Sequence, residues 1–542
     1  MAWLTGWNYR KLLKTDHNKI DSDCSDFPVK VIFDKDNFAF AHALETGNDI
    51  RFTASDGETL LKHEREIHEI TDWGKFAGTV DGTYDTYNDS NADYLALRFH
   101  RLGAMNKYAE LDNSIDASSD FVFSFKIYVS SITLGALHYS GSAGIIGLSD
   151  NTTNANNHYV GADIVYDSDT SNKAYISSRF EGTSPNMGSG FAYSDGIELN
   201  TKTTYIIKLS KTGSTLKVAV CNASDEELWS DTATASTTPT LTYFKIWDYT
   251  PGYGTPYVDF RLSDFYNGST EETFQLYSAV YHVKLPTASS TSDTEFYCYY
   301  GKSDATDGAD GENVWDSNYK VVHHMTPDLY DSTANNHDGS NKGSKSAINR
   351  AGHYRTFNDA YVSLGSSVDF SLTDKITIEG HCKSTSDTNM RLFNRHETPS
   401  GNYGYMLSRS LTNDNAEWRI SKTKDDWNGG MTSERSWPIN TDLHVVGTYD
   451  GSNMRVYFNG ATTSGDFPAS LSGNIASVAH SAYIGAGSAA TSKWYGNIYE
   501  FRLSNIARSD AWIKATYASL ADTLLTYGAE EALTPRVMVV WA

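Results

Sequence analysis

Along most of the chain, apolar and polar residues alternate over short runs rich in β-branched and aromatic side chains. Phe121–Val129, Tyr205–Leu209, Leu216–Val220 and Met454–Phe458 are examples, each bounded by Gly, Asn, Asp or Ser. A period of two between turn residues predicts β-strands with one buried face. Only Asp510–Leu520 has a helical period, which puts Trp512, Ala515, Thr516 and Ser519 on one side. Many short strands separated by turn signals predict an all-β chain of antiparallel sandwiches.

An internal repeat sets the domain organisation, because each copy must close its own core. Tyr108-Ala-Glu-Leu-Asp-Asn-Ser-Ile-Asp116 corresponds to Tyr361-Val-Ser-Leu-Gly-Ser-Ser-Val-Asp369. Gly213-Ser-Thr-Leu-Lys-Val-Ala-Val220 corresponds to Gly451-Ser-Asn-Met-Arg-Val-Tyr-Phe458, and Tyr257-Val-Asp-Phe-Arg-Leu-Ser-Asp-Phe265 to Ile498-Tyr-Glu-Phe-Arg-Leu-Ser-Asn-Ile506. Three anchors in the same order imply two homologous sandwiches, over residues 77–270 and 321–530. Residues 1–76 and 271–320 then read as two halves of one split sandwich that hosts the first copy in a surface loop. Residues 531–542 form a tail. Within it, Pro535–Trp541 is a short apolar β-type run, expected to dock on a sheet edge through Val537, Val539, Val540 and Trp541.

The chain has 542 residues, 44 basic against 67 acidic side chains, and a formal charge of −23. Such a balance repels phosphates and anionic headgroups, which argues against nucleic-acid and membrane-surface partners. No run approaches the roughly 18 apolar residues needed to cross a bilayer, and the charged start lacks a signal peptide's apolar core, so no membrane insertion is expected. Four dispersed cysteines, Cys24, Cys221, Cys298 and Cys382, form neither a disulfide framework nor a zinc motif. Only Cys24 and Cys298, one in each half of the split sandwich, are placed to meet.

Candidate chemistry is sparse. His63-Glu-Arg-Glu-Ile-His68 has its histidines one residue too far apart for a zinc-protease helix. As a strand it puts His63, Arg65 and Ile67 on one face and Glu64, Glu66 and His68 on the other, and it reads as a solvated strand rather than a metal site. The E-x-D-x-x-E carboxylate set of jelly-roll glucanases is absent, so no enzyme is expected. Asp259 and Glu500 occupy equivalent repeat positions beside Arg261 and Arg502 and read as structural ion pairs. His323-His324 reads as packing. Flat aromatic faces suit the CH faces of sugars. Trp427, Trp437, Trp494, Tyr495, Tyr403 and Tyr405, with Trp247 and Tyr253 in the first copy, read as the candidate ligand-binding residues, set in loops between strands. No cofactor is required; Asp-rich turns admit calcium (Ca2+) without naming its ligands.

Two resemblances cover almost the whole chain. Trp7–Lys11 (W-x-Y-R-K), Phe27–Val29, Asp49–Phe52 with Asp56-Gly57, Val283–Pro286 and Tyr299–Gly301 resemble an uncharacterised β-sandwich module of prokaryotic and viral surface proteins. Trp315–Ser317, Asp331–Gly339, Tyr361–Leu364 and Glu500–Ser504 resemble the laminin-G-like, concanavalin A-like jelly rolls of the lectin/glucanase superfamily. They imply two concanavalin A-like jelly rolls plus a split β-sandwich. The function they imply is non-catalytic recognition and adhesion, with a cell-surface glycan or polysaccharide as partner. The location is a phage or virion exterior or the extracellular space, where other virion or surface proteins, or a homo-oligomer, are further partners. A purely structural virion assembly or decoration protein, and a secreted protein associated with a glycoside hydrolase, are the alternatives.

Overall fold

The computed structural model describes residues 2–71, 77–79, 95–100, 106–133, 140–150, 159–167, 173–181, 196–234, 240–248, 257–268, 270–271, 276–397, 403–410, 415–422, 430–462, 469–470, 472–476 and 480–533. They divide into two compact units, Thr71–Leu276 and the remainder, Met1–Ile70 with Tyr277–Ala542.

The first unit is a jelly roll of two antiparallel sheets. One contains, in spatial order, Lys173–Glu181, Tyr159–Asp167, Ser140–Ser149, Thr240–Asp248 and Asn106–Asp116; the other contains Thr215–Cys221, Thr203–Thr212, Phe121–Thr133 and Tyr257–Asn267. The alternation in Phe121–Val129 explains why this stacks. Phe123, Phe125, Ile127 and Val129 are buried in the core between the sheets, against Phe244 and Ile246 from the opposite sheet.

The same strand order recurs in the larger unit, in Asn415–Ser421, Tyr403–Arg409, Met390–Glu397, Ala482–Ile484 and Gly352–Gly365 on one side. Asn453–Phe458, Asp442–Tyr449, Ile376–Ser384 and Trp494–Ser504 form the other. Gly352–Gly365 pairs with both Ala482–Ile484 and Trp494–Ser504 and so joins the two layers. The repeat anchors thus fall on strands at matching places in two jelly rolls.

Three aromatic residues expected at a ligand lie instead in this second core. Trp437 and Trp494 are 0 % exposed and Tyr405 is 1 % exposed. The two indoles pack on each other with centroids 5.7 Å apart. The Tyr405 hydroxyl donates to the Phe370 carbonyl at 2.8 Å. Trp494 opens a strand rather than sitting in a loop. Large rings at strand ends close the sandwich, where burying their area is worth more than exposing it.

The split sandwich also differs from its expected outline. Its three-stranded sheet is Cys24–Phe33, Leu276–Ala288 and His63–Thr71. Its five-stranded sheet runs Leu525–Ala532, Tyr9–Thr15, Glu295–Tyr300, Arg51–Ala54 and Leu60–Leu61. The outermost strand therefore comes from the segment assigned above to the second jelly roll. The helix Asp510–Leu520, started by Ser509 accepting from the Trp512 amide at 3.2 Å, belongs to the same seam. Trp512, Ala515 and Ala518 join the split sandwich's core, while Ile513 packs on Val446 and Tyr457 of the jelly roll. Helical periodicity shows that a face is buried, not which partner buries it, and here two partners do.

The surface-module motifs are packing motifs. Arg10 lies between the rings of Trp3 and Tyr297, 4.5 and 4.4 Å away, and pairs with Glu531 at 2.7 Å. Asp49 accepts from the Gly301 amide at 2.7 Å while its carbonyl accepts from the Trp7 indole at 2.6 Å. Gly301 has φ +83°, and a Cβ there would stand 2.5 Å from the Tyr9 ring. All four cysteines are buried and free; Cys24 and Cys298 share one core without bonding. Val537, Val539, Val540 and Trp541 lie outside the described residues. The Leu533 amide, just before them, donates to the Asn8 carbonyl at 2.7 Å.

Residues 71 and 276 end neighbouring strands of one sheet, and such strands run about 4.8 Å apart. Replacing residues 72–275 by a short Gly/Ser link is therefore expected to leave the larger unit folded, with one cooperative thermal transition near that of the full chain. Loss of that transition in calorimetry would show that the host needs its insert. Trp437→Ala is expected to cost about 3–5 kcal/mol in denaturant unfolding; a cost under about 1 kcal/mol would place the ring outside the core.

Candidate functional site

The remaining predicted ligand residues divide by what the structure describes. Tyr495 is half-buried at the margin of the second core. Tyr403 and Trp247 are placed by their backbones at register positions opposite Glu397 and Ile145, their side chains being outside the described set. Trp427 and Tyr253 lie outside the described residues altogether. Among the described side chains of this set, Trp437, Trp494 and Tyr405 are in the core and Tyr495 is at its margin.

The structure gathers a different set, none of it expected to form one site. Glu64 and Glu66 are two apart on His63–Thr71 and so share a face. That face is not solvated: their side chains are 15 % and 0 % exposed, because the second jelly roll covers the three-stranded sheet. His68 leaves this face for the opposite one, with its Nδ1 2.6 Å from the Tyr281 hydroxyl, while Ile67 packs with Ile32 and Val280. Lys30 and His282 come from the two neighbouring strands. From the jelly roll come Glu500 and Arg502 on Trp494–Ser504, with His324 at the end of Tyr319–His323.

The distances define one network. Lys30 Nζ is 3.1 Å and His282 Nε2 3.0 Å from Glu66 Oε2. His324 Nδ1 is 2.7 Å from Glu500 Oε2, and its Nε2 is 3.3 Å from Glu64 Oε2. Arg502 Nε donates to Glu500 Oε1 at 2.8 Å, and its guanidinium lies 4.9 Å from the Trp315 ring centre. The Trp315 indole N–H and the Ser332 hydroxyl donate to Glu64 at 2.7 and 2.5 Å. The His353 amide donates to Glu66 Oε1 at 2.8 Å. Gly352, at φ +112°, lets that turn approach, since a Cβ there would sit 2.0 Å from the same oxygen. The Glu500–Arg502 pair read from the repeat is present; its counterpart at Asp259 lies outside the described side chains.

Burial alone would hold these carboxyls protonated, yet the neighbouring cations reverse it. Lys30 and the His282 hydrogen bond bring Glu66 down to about 2. His324 and Arg502 hold Glu500 well below the carboxylate range. Glu64 is lowered too, chiefly by His324. His324 is pushed up to about 10 by Glu500 and Glu64 against its desolvation. His282 goes the other way, to about 4, through burial and then the charge of His324. Three carboxylates thus meet three cations, Lys30, Arg502 and His324, around a neutral His282.

Glu66, His282 and His324 place ligand atoms within 4.8 Å of one another, the spacing of a metal's donor set. The protein's own cations already fill that role. Lys30 sits on the shared Glu66 oxygen and His324 turns Nδ1 to Glu500. One Asp-rich turn, Asp331–Gly339, is likewise self-satisfied. Asp331 accepts from the amides of Val322, Thr333 and His337 and from the Thr333 hydroxyl, at 2.9–3.0 Å. Four donors take up the roughly four lone-pair positions of a carboxylate. A bidentate pair adds to the seam, where Arg508 meets Asp316 at 2.7 and 2.9 Å between the rings of Tyr319 and Trp512. What this arrangement does chemically is fasten one sandwich to the other.

Comparison with known proteins bears on the jelly roll that carries Glu500. No curated protein sequence matches the chain. Among solved structures, the chain is similar to the binding domain of Paraclostridial Mosquitocidal Protein 1, at 14 % identity and TM-score 0.30 over 37 % of this chain and 52 % of that one. It is also similar to domain 4 of AbnA, a GH43 extracellular arabinanase from Geobacillus stearothermophilus in complex with arabinotriose, at 15 % identity and TM-score 0.29 over 36 % and 96 %. The receptor binding domain of botulinum neurotoxin D matches at 14 % and TM-score 0.28 over 37 % and 52 %. The chain spans about half the length of both toxin binding domains. The family model of the concanavalin A-like lectin/glucanases superfamily, of the laminin-G type, matches residues 356–514. Those residues form a concanavalin A-like jelly roll, set in a molecule of antiparallel β-sandwiches.

Proposed function

We propose that the protein is a non-catalytic recognition and adhesion protein whose jelly rolls bind a carbohydrate at a cell surface. The observation that carries this reading is the match of residues 356–514 to the lectin/glucanase superfamily model. The matching strand order of residues 71–276 supports a second module of the same kind. Two buried carboxylates of the matched domain, Glu500 and Glu417, are held by the protein's own cations, which favours binding over hydrolysis. Glu500 is engaged by His324 and Arg502, and Glu417 by Arg391 at 3.3 Å and by the Arg419 guanidinium. A glycosidase needs two carboxyls facing one sugar bond. Display on a phage or virion exterior is the setting we favour, on the resemblance of the split module to surface-protein modules. Immunogold labelling of intact particles tests that location, and label only on disrupted particles would refute it.

The fastening network favours a second, purely structural reading, because it makes the host sandwich and its jelly roll a rigid spacer. A glycan array with the full chain separates the two. On the recognition reading, at least one glycan class binds saturably, and Trp427→Ala or Tyr495→Ala weakens it about tenfold, the loss of roughly 1.4 kcal/mol from one stacking ring, with thermal stability unchanged. No binding across the array would leave the structural reading. Hydrolysis of a polysaccharide, lost on a single carboxylate substitution, would overturn both.

A further inference from the structure

His324 touches carboxylate oxygens with both ring nitrogens, one from each sandwich. Glu500 Oε2 of the jelly roll lies 2.7 Å from Nδ1, and Glu64 Oε2 of the split sandwich 3.3 Å from Nε2. Ionised carboxylates only accept hydrogen bonds, so a neutral imidazole, which has one N–H, can satisfy just one of them. The ring is 2 % exposed, so the nitrogen left without a proton would turn its lone pair to a carboxylate oxygen away from solvent. We propose that His324 is a standing imidazolium that bolts the split sandwich to the second jelly roll, a fastening that holds through neutral pH and is withdrawn in alkali.

The groups around the ring bear on this, among them His353 and His323, both lowered by burial and in part by the charge of His324. The strand His63–Thr71 presents Glu64 and Glu66, the latter 4.0 Å from Nδ1. Leu276–Ala288 presents His282, whose ring stacks on that of His324 at 4.1 Å and 18°. Trp494–Ser504 presents Glu500 and Arg502, Cys24–Phe33 presents Lys30 through Glu66, and Trp315 covers the ring at 5.5 Å. His282 cannot share the proton, because its Nε2 donates to Glu66 and burial keeps it neutral.

The direction in pH follows. The folded His324 value, about 10, exceeds the ordinary 6.5, so its contribution is full below pH 6.5 and is lost as pH rises through 10. His63, His68 and His282 are lowered to about 4, so they leave stability intact above pH 6.5 and remove it as pH falls from 6.5 to 4.

The test uses the full chain labelled with 15N-histidine. One pair of ring nitrogens, absent from His324→Gln, is expected to keep the doubly protonated signature at pH 8 and to titrate near pH 10. Tm should peak near pH 6.5 and decline on both sides, with the alkaline decline flattened in His324→Gln. If that variant fails to fold, Glu500→Gln identifies the same ring by lowering its titration. A neutral His324 ring at pH 8, or a Tm that stays level to pH 10, would overturn the bolt. So would one equivalent of metal in the purified protein by elemental analysis, since a metal would then supply the charge assigned to the proton.

Discussion

Six charged side chains are held out of water between two sandwiches, and neither surface that carries them is compatible with burial alone. Glu64 and Glu66 without His324 and Lys30, or Glu500 and Arg502 without each other, would leave uncompensated charge in a medium where that costs several kcal/mol per ion. The interface between the host sandwich and its jelly roll therefore has one arrangement, in which all six close on one another. Hydrophobic contact supplies area there, through Ile32, Ile67 and Val280, but apolar area is non-directional and sets no register. The ions set it.

How much of this was legible in the sequence depended on whether the signal was local. Strand periodicity and turn residues are local, and the all-β architecture follows from them. The anchors at Tyr108 and Tyr361, or Tyr257 and Ile498, report a repeated topology because strands at matching places face matching neighbours. The helix Asp510–Leu520 was legible to the residue because its pattern is intrinsic to it. Its partners were not, since Trp512 and Ile513 meet different cores. Trp437, Trp494 and Tyr405 misled for a related reason. An aromatic ring among turn residues looks the same whether it projects to a ligand or folds back as a plug, and only the opposite sheet decides.

The ion network was illegible for a stronger reason. Its members come from five separate segments, with Glu64 and Glu500 more than four hundred positions apart. Nothing local distinguishes Glu66, wholly buried, from the exposed glutamates around it. Beyond the Glu500–Arg502 pair that the repeat exposed, the usable hint was the spacing of Glu64 and Glu66 on a strand without alternating hydrophobic residues. Two like charges on one face need either solvent or a set of cations, and the second possibility goes unseen until the covering domain is in place.

The outermost strand of the split sandwich, Leu525–Ala532, adds an element of time. Lys11 Nζ meets the Gly528 carbonyl across 517 residues. The helix and strand near the chain's end also supply the Ser519 and Tyr527 hydroxyls that accept from the Lys30 and Ile32 amides, on the free edge of Cys24–Phe33. At a translation rate of about 5–20 residues per second, the first strands emerge roughly half a minute to two minutes before these partners exist. The inserted jelly roll is complete long before then and can fold as it emerges. Until residues 510–532 have been made, the strands Tyr9–Thr15 and Cys24–Phe33 keep unpaired edges, a surface for chaperones to guard.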